Sequence, residues 1–168
     1  MGGLLAHSNQ HERAIAEHKR ALELDRNEVF GHGGIGVAKA YGGHAEDTEG
    51  HVEEALRLSP RDTLRPIWLY SVGAAKVYLG LDDEAVRWCQ RAIDANRTFM
   101  LSHFYLAAAL AHLGRLAEAR EAVQTGLAIN PKFTLRFFRH NAPGDSPVFR
   151  AQYERALTGM RLAGVPEG

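Results

Sequence analysis

Cysteine is almost absent from this chain, since Cys89 is its only one. A single thiol excludes an internal disulfide framework and fits a reducing compartment, so we expect a cytoplasmic protein. An excess of charge of one sign is also absent, because Lys and Arg number 20, Asp and Glu number 20, and the formal net charge is +0. No overall electrostatic field therefore favours a nucleic acid as partner.

Long apolar runs are missing as well. The most apolar stretch, residues 99–114, is interrupted by Ser102, His103 and His112, and it falls short of the roughly 18 apolar residues that a membrane span requires. Residues 1–6 lack the basic start and the apolar region of a signal peptide. We therefore expect no membrane association and no export. Hydrophobic residues still make up 45% of the chain, which is enough to bury a continuous core.

One four-residue motif occurs four times along the chain. Its positions hold a small residue, then Leu or Ile, then any residue, then an apolar residue. Its copies begin at Ala21, Ala55, Ala92 and Gly126, which are 34, 37 and 34 residues apart. A period of 34 residues is typical of stacked helical hairpins. The longer middle interval indicates three inserted residues between the second and third copies.

Each period contains two stripes of apolar residues at helical spacing. We call the two helices that they predict helix A and helix B. In residues 100–133, the first stripe includes Leu101 and Ala108 and ends at Gly114, and the second ends at Asn130 before a proline. Glycine at such a turn supplies a left-handed conformation, and proline disfavours helix in the residue before it. The turn glycine recurs in the three complete units as Gly43, Gly80 and Gly114.

The repeated pattern resembles the tetratricopeptide repeat, or TPR, over about residues 1–133. The resemblance is carried by a large residue followed by a small one on helix A, the turn glycine, an early alanine in helix B and the closing motif. The pairs on helix A are Ile35-Gly36, Val72-Gly73 and Leu106-Ala107. The early alanines of helix B are Ala14, Ala85 and Ala119. It implies an all-α fold, a right-handed α-solenoid of stacked helix-turn-helix TPR hairpins with a C-terminal capping helix. The sequence departs from the family at Lys39 and Lys76, where a bulky apolar residue is usual.

The resemblance divides one domain into five segments. They are a truncated first TPR at 1–28 with the end of helix A and helix B joined by a turn at Asn9, a TPR at 29–62, a TPR with the insertion at 63–99, a TPR at 100–133, and a C-terminal helical cap and tail at 134–168. We expect Asp62 to cap a lengthened helix A in the third segment, with Pro66 in its first turn. Ser146 and Pro147 are expected to begin the cap helix, which Gly164 ends.

A second resemblance concerns the C-terminal region. Residues 59–62, 130–134 and 162–167 are similar to the C-terminal TPR region of bacterial adenylate/guanylate-cyclase-like multidomain proteins, although this chain has no cyclase domain. Together with the incomplete first unit, this similarity implies a regulatory fragment of a larger bacterial protein. A partner domain within that protein is then one expected partner.

The family binds partners on the face that helices A form. Transferring its groove positions to this sequence selects nine larger residues, namely Phe30, Val37, Tyr41, Ile67, Tyr70, Tyr78, Leu101, Phe104 and His112. These positions hold no Lys or Arg, which disfavours capture of a terminal carboxylate, and their aromatic character suits a partner peptide or amphipathic helix. Three alternatives stay open: the groove is filled by the C-terminal helix, the chain forms a homo-oligomer through the groove or the incomplete first repeat, or these aromatic residues are only core.

We expect no catalytic residue, no cofactor and no metal, and thus a protein-interaction scaffold and not an enzyme. Residues 31–36 satisfy G-x-G-x-x-G, but they lie inside a helical repeat and do not follow a strand. Nine histidines offer no pair four residues apart within one predicted helix. Cys89 lies on the inward stripe of a helix B, where burial would oppose a reactive thiolate.

Overall fold

The computed structural model describes the backbone of residues 2–168 and the side chains from residue 10 onward. Its regular elements are α1 (Gly2–Leu24), α2 (Val29–Gly42), α3 (Thr48–Leu58), α4 (Arg65–Leu79), α5 (Asp82–Ala95), α6 (Met100–His112), α7 (Leu116–Ile129), α8 (Leu135–His140) and α9 (Pro147–Ala163), with a short 3₁₀ turn at Ala45–Asp47. Over residues 2–168 every regular element is helical, and the predicted right-handed solenoid of stacked hairpins is confirmed.

Three hairpins form the body of the solenoid, with α2, α4 and α6 as helices A and α3, α5 and α7 as helices B. Each helix A ends at a glycine with left-handed backbone, because Gly43, Gly80 and Gly114 have φ of 94°, 77° and 75°. A side chain would be strained there, so these glycines reverse the chain without steric strain. The predicted hairpin turns are confirmed.

Small residues on helices A allow the two helices of a hairpin to touch. A Cβ atom added at Gly73 would lie 2.6 Å from Sγ of Cys89 on α5, and one at Gly36 would lie 3.1 Å from the backbone oxygen of Thr48. Gly33 faces the ring of Trp68 on α4, so a small residue also allows close contact between consecutive hairpins. The G-x-G-x-x-G segment therefore lies within α2 at close helix contacts, as the sequence predicted.

The predicted turn at Asn9 is wrong, because α1 is a continuous helix from Gly2 to Leu24. Residues 4–24 contain neither glycine nor proline, and asparagine alone does not break a helix when the flanking residues favour one. Met1, part of the predicted helix A remnant, lies outside the described residues.

The prediction for the insertion is also corrected. Asp62 does not cap a helix, since its Oδ1 accepts a hydrogen bond from the backbone N–H of Leu64 at 2.7 Å and α4 begins only at Arg65. Proline is tolerated only in the first helical turn, so Pro66 fixes the start of α4. The inserted residues thus lengthen the connection more than the helix.

The cap helix α9 begins and ends as predicted. The backbone N–H of Phe149 donates to Oγ of Ser146 at 3.1 Å, and Gly164 closes the helix with φ of 97°. The chain then returns to α8. There the backbone N–H of Leu135 donates to the backbone oxygen of Pro166, and that of Arg136 to the backbone oxygen of Glu167, each at a distance of 2.9 Å. These bonds fix α8 and the tail beside α9.

Candidate partner-binding site

The cap helix α9 lies across the C-terminal ends of all three helices A. Oγ of Ser146 donates to the backbone oxygen of Gly42 at 3.1 Å, and Nη1 of Arg155 donates to that of Val77 at 2.6 Å. Further along α9, a Cβ atom on Gly159 would lie 2.7 Å from the backbone oxygen of Ala108. α9 therefore covers the face formed by helices A along the C-terminal half of these helices.

A cavity of about 190 Å³ lies where α9 and the segment after α8 meet helices A. All five tyrosines of the chain line it, and we call it the tyrosine cavity. Its lining residues are Tyr41, Tyr70, Tyr78, Tyr105 and Tyr153, with Leu101, Phe138, Asn141 and Pro143.

The cavity has a buried floor and a rim that solvent reaches. Tyr70, Tyr78, Tyr105 and Tyr153 are each at most 4% exposed, whereas Asn141 is exposed and Tyr41, Leu101 and Pro143 are partly so. A ligand would therefore enter past Leu101 and Asn141 and meet aromatic rings inside.

Aromatic rings and hydroxyl groups organise the floor. The ring of Tyr105 meets those of Tyr70 and Tyr78 edge to face, with centroids 5.4 and 5.9 Å apart, a favourable geometry for aromatic pairs. The hydroxyls of Tyr78 and Tyr105 share a hydrogen bond of 2.5 Å, and the hydroxyl of Tyr153 donates to the backbone oxygen of Phe138 at 2.9 Å.

Burial fixes the protonation state of these hydroxyls. Desolvation raises the pKa of Tyr70, Tyr78 and Tyr105 well above 10.0, their ordinary value, and raises the pKa of Tyr41 and Tyr153 in the same direction. A phenolate would lose its hydration inside the fold, so all five groups stay neutral at physiological pH.

The structure brings four of the nine predicted groove residues to this cavity, namely Tyr41, Tyr70, Tyr78 and Leu101. His112 lies under α9, where its Nε2 is 3.0 Å from the backbone oxygen of Arg155. Phe30 and Ile67 stand on the half that α9 leaves open, 51% and 38% exposed.

Two predicted groove residues pack into the protein. Phe104 is fully buried, with its ring stacked on that of Phe133 at 3.9 Å between centroids and in close contact with Gly126 of α7. Val37 is partly buried against the hydrophobic core. Phe104 therefore contributes packing and offers no open surface.

Sequence reasoning missed five residues of the cavity: Tyr105, Phe138, Asn141, Pro143 and Tyr153. Tyr105 follows Phe104 directly, and one step along a helix turns a side chain by about 100°, so transferring a single family position chose the wrong neighbour. The other four belong to the cap, whose place over helices A no repeat pattern encodes.

The lysines that depart from the family pattern are paired with acidic residues. Nζ of Lys76 lies 2.7 Å from Glu49 on α3 and 2.6 Å from Glu84 on α5, so it links two consecutive hairpins. Lys39 similarly lies 2.8 Å from Asp47. Glu49 and Asp47, which belong to the second hairpin, therefore serve as partners of these two lysines.

Two further features are absent from the described part of the chain. No group of three or more His, Cys, Asp or Glu side chains there is arranged to hold a metal ion. Among the same residues, no helix has both the length and the apolar character to span a bilayer.

Comparison with known proteins agrees with this architecture. The tetratricopeptide repeat model matches residues 101–133, and no curated protein matches the chain. A crystal structure of MamA superposes with a TM-score of 0.67 at 21% identity, over 91% of this chain and 90% of that one. YrrB, described as a TPR protein with an unusual peptide-binding site, superposes with a TM-score of 0.62 at 22% identity, over 95% of this chain and 84% of that one. The helical repeats of this chain are therefore built on the fold of tetratricopeptide-repeat proteins.

Proposed function

We propose that this chain is a protein-interaction module that binds a peptide or helical segment of a partner along the open half of the face formed by helices A. The observation that carries the proposal is the exposure of two large apolar side chains, Phe30 and Ile67, at equivalent positions of consecutive hairpins. With Leu101 at the same position of the third hairpin, they form what we call the apolar row.

The apolar row continues into the core beneath it. The ring of Phe30 meets that of Trp68 edge to face with centroids 6.0 Å apart, and Leu101 at the other end lines the tyrosine cavity. Exposed apolar surface is worth about 25 cal/mol per Å² when a partner covers it. A segment lying along the row would thus gain affinity from side chains that are already held in place.

The spacing of the row sets the form of the partner. Neighbouring packed helices lie about 8–10 Å apart, so partner side chains must be separated by a similar distance. A segment in the polyproline II conformation meets this with every third residue, which returns to the same face at about 3.1 Å per residue, and a helix meets it with residues two turns apart at about 5.4 Å per turn. That YrrB shares the fold and is described as having a peptide-binding site supports a peptide as the partner.

Selection of peptides on the folded chain tests the proposal. Random peptides would be selected on the wild-type chain, and their affinity for variants measured by fluorescence polarisation. Phe30→Glu and Ile67→Glu each place a charge in the row and should weaken binding about tenfold or more. Phe137→Glu is the matched control, because Phe137 on α8 is 59% exposed and lies outside the row; it should leave affinity unchanged.

Two outcomes would overturn the peptide proposal. The first is that no selected peptide loses affinity in Phe30→Glu or Ile67→Glu. The second is concentration-dependent sedimentation that Ile67→Glu abolishes, because a second copy of the chain would then cover the row. A regulatory role beside another domain of a longer bacterial protein, expected from the resemblance of the C-terminal region, stays a prediction.

A further inference from the structure

We propose that the tyrosine cavity receives the guanidinium group of an arginine side chain carried by the partner peptide. The inference rests on the proposed function, because the cavity opens beside Leu101 at one end of the apolar row. It adds the chemistry by which one partner residue would be recognised.

Hydrogen-bonding capacity in the cavity is biased toward acceptors. Each of the five tyrosine hydroxyls has one proton and an oxygen that can accept. The Tyr153 proton is given to the backbone oxygen of Phe138, and one proton of the Tyr78 and Tyr105 pair is given to its partner hydroxyl. At most three of the five protons are left to donate, whereas all five oxygens retain accepting capacity, so a ligand rich in donors fits best.

The rings favour a flat cation over other donors. The negative faces of aromatic rings attract cations whose centre lies within about 6 Å, and Tyr70, Tyr78, Tyr105 and Phe138 surround the cavity. Guanidinium is planar, has five donors and is more weakly hydrated than an ammonium group. Arginine therefore loses less hydration on entry than lysine does.

The volume suits a group of this size. An engineered cavity of about 150 Å³ accepts benzene, and the tyrosine cavity, at about 190 Å³, is somewhat larger. A planar guanidinium with the end of its alkyl chain is comparable to a six-membered ring.

A buried carboxyl group lies two residues along the chain from Pro143, which lines the cavity. Both carboxylate oxygens of Asp145 are buried with no hydrogen-bond partner among the described residues. Asp145 follows Pro143 by two residues, so their Cα atoms lie within about 7 Å of each other. Neither lysine nor arginine lines the cavity, and Arg155 on the neighbouring α9 is already paired with Asp82. A donor-rich cation that reached the Asp145 carboxyl group would supply its oxygens with hydrogen-bond partners.

Binding of a small probe tests this inference on the full chain. Nα-acetyl-arginine amide would be titrated into protein with isotope-labelled tyrosine rings, and the ring signals followed by NMR. Its uncharged analogue, Nα-acetyl-citrulline amide, is nearly identical in shape and should bind about tenfold more weakly, because the cation–π attraction is lost. The corresponding lysine amide should also bind more weakly than the arginine probe.

Two variants separate recognition from folding. Tyr105→Leu removes a central ring and should abolish saturable binding, but it also alters the core. Asp145→Asn keeps the shape of the loop and should weaken the arginine probe severalfold without affecting the citrulline probe. Asp94→Asn, which changes an exposed carboxylate on α5, is the matched control and should bind like the wild type.

Equal affinity for the arginine and citrulline probes, or an arginine affinity that Asp145→Asn leaves unchanged, would overturn the inference. These experiments can refute the arginine site and the proposed interaction module independently of each other. Selected peptides that depend on Ile67 but tolerate replacement of every arginine by citrulline would refute the arginine site and leave the interaction module intact. Arginine binding in the cavity without any peptide that depends on Ile67 would refute the module alone.

Discussion

The guanidinium of Arg155 on α9 holds both carboxylate oxygens of Asp82 at the start of α5, with Nη1 3.0 Å from Oδ1 and Nη2 2.6 Å from Oδ2. Asp82 is only 8% exposed, and Nη1 also donates to the backbone oxygen of Val77. One side chain of the cap thus connects to the end of a helix A and to the helix B that follows it. This contact is one of those that hold α9 over the tyrosine cavity.

Breaking that contact should destabilise the fold. Removal of one partner leaves a mostly buried charged group without its hydrogen bonds, so we expect Arg155→Met or Asp82→Asn to lower the free energy of unfolding by about 2 kcal/mol. Urea unfolding followed by circular dichroism measures the change. Arg139→Met is the comparison, because Arg139 and Glu154 form an exposed pair that is worth less than about 1 kcal/mol. An equal loss in all three variants would show that the Arg155 contact has no special role.

The close approach of α4 and α5 gives a second prediction. Gly73→Ala places a methyl group 2.6 Å from Sγ and 3.2 Å from the backbone nitrogen of Cys89, so the helices must separate and we expect a loss of about 1–3 kcal/mol. Gly50→Ala is the matched control within α3, since no described atom beyond the neighbouring backbone of α3 lies within 4 Å of its added Cβ. There alanine should stabilise the protein by up to about 1 kcal/mol because it favours helix. Thermal unfolding of both variants measures whether each substitution lowers or raises the stability. A stabilised Gly73→Ala would contradict the close contact.

Much of the fold could be predicted because the repeat is a local signal. Apolar residues at helical spacing and the left-handed glycines at positions 43, 80 and 114 act within a few residues, so they appear directly in the sequence. Asn9 marks the limit of that reasoning. Its alignment with the turn glycines predicted a turn. Asparagine, however, adopts the left-handed backbone conformation of those glycines less readily.

The candidate site could be predicted only in part, because it combines repeat positions with long-range contacts. Tyr70, Tyr78 and Leu101 followed from the repeat. The position of α9 depends on contacts such as those of Ser146 with Gly42 and of Arg155 with Asp82, which join residues 104 and 73 positions apart. Such pairs have no periodic signature, so the sequence left open whether the C-terminal helix would cover the groove.

Lys76 provides a prediction about the seam between hairpins. Burial lowers its pKa, but its hydrogen bonds with Glu49 and Glu84 outweigh burial and the net pKa is raised. Lys76→Met removes the cation that joins the two carboxylates, and we expect a loss of about 1 kcal/mol. Combining it with Glu49→Gln and Glu84→Gln should recover stability, because uncharged residues no longer repel each other. A triple variant no more stable than Lys76→Met would contradict this account of the seam.

The same contact predicts a dependence on acid. The hydrogen bond from Lys76 lowers the pKa of Glu84 below 4.5, its ordinary value. A carboxyl group with a lowered pKa in the folded state stabilises the fold above its unfolded pKa, and this contribution is lost as the pH falls through the folded pKa. Urea unfolding at a series of acidic pH values should therefore show a shallower decline in Lys76→Met than in the wild type. Parallel declines in the two proteins would rule out this role of Lys76.

Alkaline solution provides the sharpest test of the tyrosine cavity. The folded protein keeps the five tyrosine hydroxyls neutral because burial raises their pKa, and burial likewise raises the pKa of Cys89 from 9.0 to about 12. Since the unfolded chain releases these protons first, stability is fully present below about pH 9 and is lost as the pH rises further.

Tyrosinate absorbance should therefore appear together with the loss of helical circular dichroism, as one cooperative transition. Cys89→Ala removes the thiol contribution and should reduce the slope of stability against pH between about 9 and 12 while leaving the tyrosine transition coupled to unfolding. Tyrosinate forming near pH 10 on every ring while the helices remain intact would mean that solvent reaches the cavity floor freely. The arginine site would then lose its physical basis, because rings that hydrate this easily could not favour a cation over water.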